Sequence, residues 1–148
     1  VKKLVELSSR AEYALLALIE LASHPRPTIP LKISEITAKQ PMPERYLEQI
    51  FTGLRREGIV QSQRGARGGY VLARAPWQIT VLEVITVIEG DKQSREQERE
   101  GVTIEKDLVY EVWQQASQAA HSVLGQCTLQ DLCQRRDVYQ QTSPMYHI

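Results

Sequence analysis

Cysteine is scarce. The 148 residues hold two, Cys127 and Cys133, and a pair six positions apart is not a disulfide framework. Long hydrophobic runs are absent too: no stretch approaches the roughly 18 apolar residues that span a bilayer. The opening segment, VKKLVELSSR, is basic but has neither an extended apolar stretch nor a small-residue cleavage site, which argues against a secretory leader. The nucleotide-binding pattern G-x-x-x-x-G-K-[ST] does not occur. Net charge is also missing, because eighteen basic side chains meet eighteen acidic ones. These absences lead to the expectation of a soluble, cytoplasmic protein that contacts no membrane. Its length suits one domain with a proper core, or a small domain with an appendage.

What is present is a separation of charge. Residues 1–75 carry twelve Lys and Arg against seven Glu, a balance of +5, so the remainder carries −5. Such asymmetry points to a first half that faces a polyanion, although an uneven solvated surface produces the same count.

The hydrophobic pattern is mainly helical. Ser9-Arg10-Ala11-Glu12 has the form of a capping box, and the nearly continuous apolar run Tyr13–Ala22 predicts a buried helix over 9–23. His24-Pro25-Arg26-Pro27 stops it. A short helix is predicted over 32–39, then a tight connection through Gln40-Pro41-Met42-Pro43. Leu47, Ile50, Phe51 and Leu54 form the stripe of an amphipathic helix over about 43–57, with Pro43 suited to its first position and Gly58 to its stop. Two short strands, 59–63 and 70–74, flank Arg64-Gly65-Ala66-Arg67-Gly68-Gly69, whose glycines suit a hairpin loop. Thr80 is a plausible cap for a helix over 81–89. Residues 90–103 are polar and unperiodic, and read as a flexible loop. An apolar stripe returns over 104–124, ended by Gly125, and Thr128 caps a last helix to about Asp137. The organisation expected is therefore residues 1–90 as one domain, 91–103 as a loop, and 104–148 as a long helix with a C-terminal helix.

Buried helix, short helix, tight turn, amphipathic helix and two-stranded hairpin, in that order, describe a winged helix-turn-helix. The fold expected is mainly α with a small β-hairpin wing. In such a unit the second helix of the pair enters the major groove of DNA. The residues in position to do so are Arg45, Tyr46, Glu48, Gln49, Thr52, Arg55 and Arg56, which lie off the apolar stripe. Their chemistry suits base edges: Arg pairs with guanine, Gln with adenine, and a carboxylate accepts from cytosine. A solvated helix surface would look the same taken alone. Arg64 and Arg67, set among glycines, can approach a phosphate or enter a narrow minor groove; the plainer alternative is a turn that happens to be basic.

Leu7-Ser8-Ser9-Arg10-Ala11-Glu12-Tyr13-Ala14-Leu15, Tyr46-Leu47-Glu48-Gln49-Ile50-Phe51, Leu54-Arg55, Gly58-Ile59-Val60, Arg64-Gly65 and Gly68-Gly69-Tyr70-Val71-Leu72 closely resemble the Rrf2 family of transcription regulators. The resemblance is close over residues 4–90 and extends to the rest by helical layout. It implies a homodimeric, non-enzymatic regulator acting on double-stranded DNA at a palindromic operator. It implies DNA contact at the positions of Arg45, Tyr46, Glu48, Gln49 and Arg64, and a dimer formed where helix 104–124 crosses its partner's copy. An independent argument agrees: a five-turn apolar stripe beside a domain that already has a core needs a cover, and a second copy supplies one. Folding back onto its own domain is the alternative.

One departure stands out. Many members hold an iron–sulfur cluster on three closely spaced cysteines between the fourth helix and the dimer helix, whereas Gly90–Thr103 here contains neither cysteine nor histidine. Cluster iron needs thiolates or comparable ligands, so no cofactor is expected. Glu12 matches an acidic ligand position of some relatives, but without nearby cysteines it reads as a capping residue. Cys127 and Cys133 read as structural thiols, with a redox or metal response as the alternative. Two further readings remain at this point: a winged helix that docks a protein partner, and an enzyme with a cysteine nucleophile, for which no paired base is evident.

Overall fold

The first helix spans the expected 9–23, but its cap is Ser8, one residue earlier than the capping-box pattern suggests. Its Oγ accepts from the Ala11 amide at 3.1 Å, so Glu12 falls one position past the reciprocal place. The helix, α1 (Ser9–Ser23), presents Ala11, Ala14, Ala17, Leu18 and Leu21 to the interior. The small alanines let neighbouring helices approach closely. The computed structural model describes residues 6–90 and 103–142; the loop expected over 91–103 lies outside these except for Thr103, as does the tail beyond 142.

Two helices follow, α2 (Ile33–Lys39) and α3 (Glu44–Arg56). Pro43 takes the N-cap position and not the first helical one. Its backbone is extended (ψ 124°), and its carbonyl accepts from Tyr46 and Leu47. Across the turn, the Thr37 hydroxyl donates to Glu44 at 3.3 Å. Leu47, Ile50, Phe51 and Leu54 of α3 are all buried, and each such side chain contributes about 1.5–3 kcal/mol on removal from water. Gly58 ends the helix with φ 74°, a left-handed conformation that costs glycine little.

Strands β1 (Val60–Gln63) and β2 (Gly69–Leu72) pair antiparallel, with Val60 opposite Leu72 and Gln63 opposite Gly69. Leu31 bridges the other edge of β2, exchanging hydrogen bonds of 3.0 and 2.8 Å with Tyr70. Gly69 makes this possible: a Cβ there would strike the Leu31 carbonyl oxygen.

Thr80 caps α4 (Val81–Glu89), its Oγ1 accepting from the Glu83 amide. Helix α5 (Ile104–Gln126) runs straight through Gly125, which interrupts nothing because Gln126 still completes the last turn. Helix α6 (Leu129–Thr142) reaches a turn beyond the expected end. Thr128 and Asp131 close its start reciprocally: Asp131 accepts from the Thr128 amide at 2.9 Å, and Thr128 Oγ1 from the Asp131 amide at 3.1 Å. The α5–α6 junction docks on the start of α4 through Val81 N to Cys127 O (2.8 Å) and Leu129 N to Ile79 O (3.0 Å). Leu129 is fully buried, so α6 shares the core built by α1, α3 and α4. No residue of helix α5 is fully buried, and only its C-terminal turns lie against α4. Among the described residues no helix is long and apolar enough to cross a membrane.

Candidate nucleic-acid interface

Helix α3 has two opposed faces. At 3.6 residues per turn, Glu48, Gln49, Thr52 and Arg56 follow Arg45 by three, four, seven and eleven positions, so all five share one stripe. The buried stripe of Leu47, Ile50, Phe51 and Leu54 points the opposite way. Tyr46, half exposed, and Arg55 occupy the two shoulders. Every helix residue singled out from the sequence is exposed, while the local fold is held entirely from behind. Glu44 in the first turn and Arg55 and Arg56 in the last also complement the helix dipole.

Arg64 and Arg67 are exposed at the hairpin tip. Gly65 there has φ 108°, and Gly68 lies too near the Gln63 and Gly65 carbonyls to carry a side chain. The tip thus offers two guanidiniums on a backbone with little bulk.

Two contacts lock this wing to α3. The Phe51 and Tyr70 rings stack at 4.3 Å between centroids and 11° between planes. Arg55 Nη1 donates to Ser62 Oγ at 3.3 Å. Arg55 is therefore committed in part to the wing, whereas Arg45 and Arg56 have no hydrogen bond or ion pair to other described residues. Phe51 and Tyr70 were visible in the sequence only as a stripe residue and a motif residue, and Ser62 and Leu31 not at all, since an apolar stripe and a short strand do not reveal which ring meets which.

The thiols lie elsewhere. Cys127 is at the α5–α6 junction, and Cys133 on α6 has its Sγ 4.0 Å from the Ile19 carbonyl of α1. Burial pushes the Cys133 thiol up against the opposing charge of Arg136, with Asp137 and Glu20 adding to the rise, which disfavours the reactive thiolate. Among the described residues no three His, Cys, Asp or Glu side chains gather as a metal site.

A short helix, a tight turn, an exposed polar face on the following helix and a basic hairpin stacked against that helix define a winged helix-turn-helix protein. Similarity to known proteins narrows the class. The Rrf2 family model, described as an iron-dependent transcriptional regulator, matches residues 7–135. The helix-turn-helix-type transcriptional regulator IscR of Xenorhabdus nematophila is 34% identical over 136 residues, which is 90% of this chain and 82% of that protein. Among solved structures, IscR of T. potens superposes with a TM-score of 0.78 at 30% identity, covering 97% of both chains. CymR of B. subtilis, titled a global cysteine regulator, gives 0.76 at 36% identity over 88% of this chain and 98% of that one. The chain belongs to the Rrf2 family, and is a transcriptional regulator of the DNA-binding, winged-helix kind.

Proposed function

We propose that the protein binds a palindromic DNA operator as a homodimer, with α3 in the major groove and the wing on the flanking backbone or minor groove. One observation carries the reading: Arg45, Glu48, Gln49, Thr52 and Arg56 line the face of α3 opposite its core stripe, beside a wing that the Phe51–Tyr70 stack holds in place. Lys and Arg contacts to phosphate supply affinity, and base contacts supply specificity. Arg45 and Gln49 suit guanine and adenine, Glu48 suits the cytosine amino group, and Tyr46 reaches the groove wall from its shoulder. Arg55 orients the wing as well as facing the backbone, and Arg64 and Arg67 engage phosphates.

Dimerisation runs through α5. Its Leu108, Val109, Val112 and Val123 are each more than half exposed, an apolar surface that favours a partner, and a two-fold pair matches palindromic half-sites about one helical turn apart. The chain's activity is equilibrium binding and not catalysis. It also works without the family's cluster: Gly90–Thr103 supplies no thiol, and two thiols, one of them held protonated by burial, do not fit a cysteine-ligated iron site.

The test is selection of bound duplexes from a randomised pool, with wild type and Glu48→Ala side by side. A palindromic motif for wild type and a relaxed preference at one position of each half-site for Glu48→Ala is the expected outcome. The same motif from both proteins removes Glu48 from base reading, and no enrichment at all contradicts the operator.

A further inference from the structure

Glu20 is 2% exposed, the single buried charged side chain among the described residues. Its Oε1 accepts from Gln40 Nε2 at 3.0 Å and from Arg136 Nη1 at 3.2 Å, while Oε2 faces the Lys39 ammonium at 4.0 Å, the outer limit of an ion pair. Beside this carboxylate lies a cavity of about 210 Å³ bounded mainly by Glu20, Ser23, His24, Lys39, Arg136 and Asp137. It is open to solvent and mostly polar, and lies on the side of α1 where α2 ends and α6 passes.

The lining selects its occupant by charge. A simple anion meets two carboxylates, Glu20 and Asp137. A simple cation meets Lys39 and Arg136. An apolar molecule strands the polar lining. A molecule that carries an ammonium and a carboxylate a few ångströms apart satisfies both sets through charge-assisted hydrogen bonds. The volume equals several waters at about 30 Å³ each, below the roughly 300 Å³ of ordinary drug-sized pockets, so the molecule is small. We propose that this cavity binds a free α-amino acid, its ammonium toward Glu20 and Asp137 and its carboxylate toward Lys39 and Arg136.

The position gives such a ligand leverage. Gln40 stands at the start of the turn between α2 and α3, and Arg136 on the helix that follows α5; both hydrogen-bond to one oxygen of Glu20. An occupant that draws on Lys39 and Arg136 alters the link between α6 and the turn ahead of the DNA-facing helix. The site deepens the proposed function by naming its class of signal, and rests on that reading only for its effect on DNA.

The experiment is titration calorimetry of the full chain with each of the twenty free amino acids separately, with propylamine and propionate as single-charge controls. At least one amino acid saturates below about 10 mM, a range that captures even millimolar affinities, and neither control does. Lys39→Met and Asp137→Asn, both at exposed side chains, each weaken that binding by about tenfold while the ligand-free protein keeps its fold, read as an unchanged far-ultraviolet circular dichroism spectrum. The same amino acid shifts the dissociation constant for the selected operator by about fivefold or more. Absence of any saturating amino acid, equal binding of a control, or full affinity in both variants overturns the site. Binding with an unchanged operator affinity overturns its regulatory role. A protein that takes the amino acid but no duplex overturns the DNA reading and leaves the site intact.

Discussion

At the scale of residues, the basic side chains of the hairpin and α3 divide into groups held by the fold and groups with no such partner. Arg74 is paired with Glu83 and Arg55 reaches Ser62, whereas Arg64 extends from the hairpin tip with no ion pair to another described residue. Replacing Arg64 with alanine is expected to weaken binding evenly across sequences and to lower the slope of log affinity against log salt by about 1, as loss of one phosphate contact does. Titrating wild type and Arg64→Ala over a salt series checks this, and an unchanged slope removes Arg64 from the phosphates. Arg55 and Arg64 were legible in the sequence, the first because it lies off the apolar stripe of its helix and the second because it sits among the glycines of a hairpin loop. Glu20 was not. It sits inside the run Tyr13–Ala22, where a single charge looks like a surface interruption, and its partners come from positions 39, 40 and 136, which no local pattern connects.

At the scale of elements, helix starts and stops follow capping chemistry. Order and type of the α-helices were readable from periodicity, and the 9–23 bounds of α1 hold with only its cap moved to Ser8, while the three-residue 3-10 turn Pro76–Gln78 went unread and α5 ran past Gly125, a glycine that fails to stop it. The start of α6 carries its own prediction. Hydrogen bonds from the Thr128 amide and, second, the Thr128 side chain hold the Asp131 carboxyl below its ordinary range. A depressed folded-state value means the stabilisation is fully present above the unfolded aspartate value, about 3.9, and is lost as pH falls through the folded one. Urea unfolding of wild type and Asp131→Ala is therefore expected to differ by a constant amount near neutral pH, the gap closing as pH drops below about 3.9. A gap that persists in acid contradicts the cap.

At the scale of the whole molecule, the core joins α1, α3, α4 and the beginning of α6, and leaves α5 outside it. Over its 23 residues, about 35 Å long at 1.5 Å per residue, α5 has no fully buried residue, and Ile104–Ala116 is exposed throughout while only its last turns lie against α4. The stripe was visible in the sequence; that its first half is left uncovered by the rest of the fold was not, because periodicity tells which face is apolar and not what covers it. Val112, 63% exposed, is a clean probe. Val112→Glu is expected to shift the protein from dimer to monomer in sedimentation while leaving the helix content of the chain unchanged, and to weaken operator binding because two half-sites are no longer gripped together. A dimer that survives this change moves the interface off α5. The central claim, that α3 and its stacked wing read a specific DNA sequence, is tested most directly by titrating the wild-type protein against its selected palindrome and a scrambled duplex of equal length across a salt series. The account predicts a dissociation constant of about 10⁻⁸ M or tighter for the palindrome at physiological salt, at least about a thousandfold weaker binding to the scrambled duplex, and affinity that falls steeply with salt for both. Equal affinity for the two duplexes, or binding indifferent to salt, would contradict it.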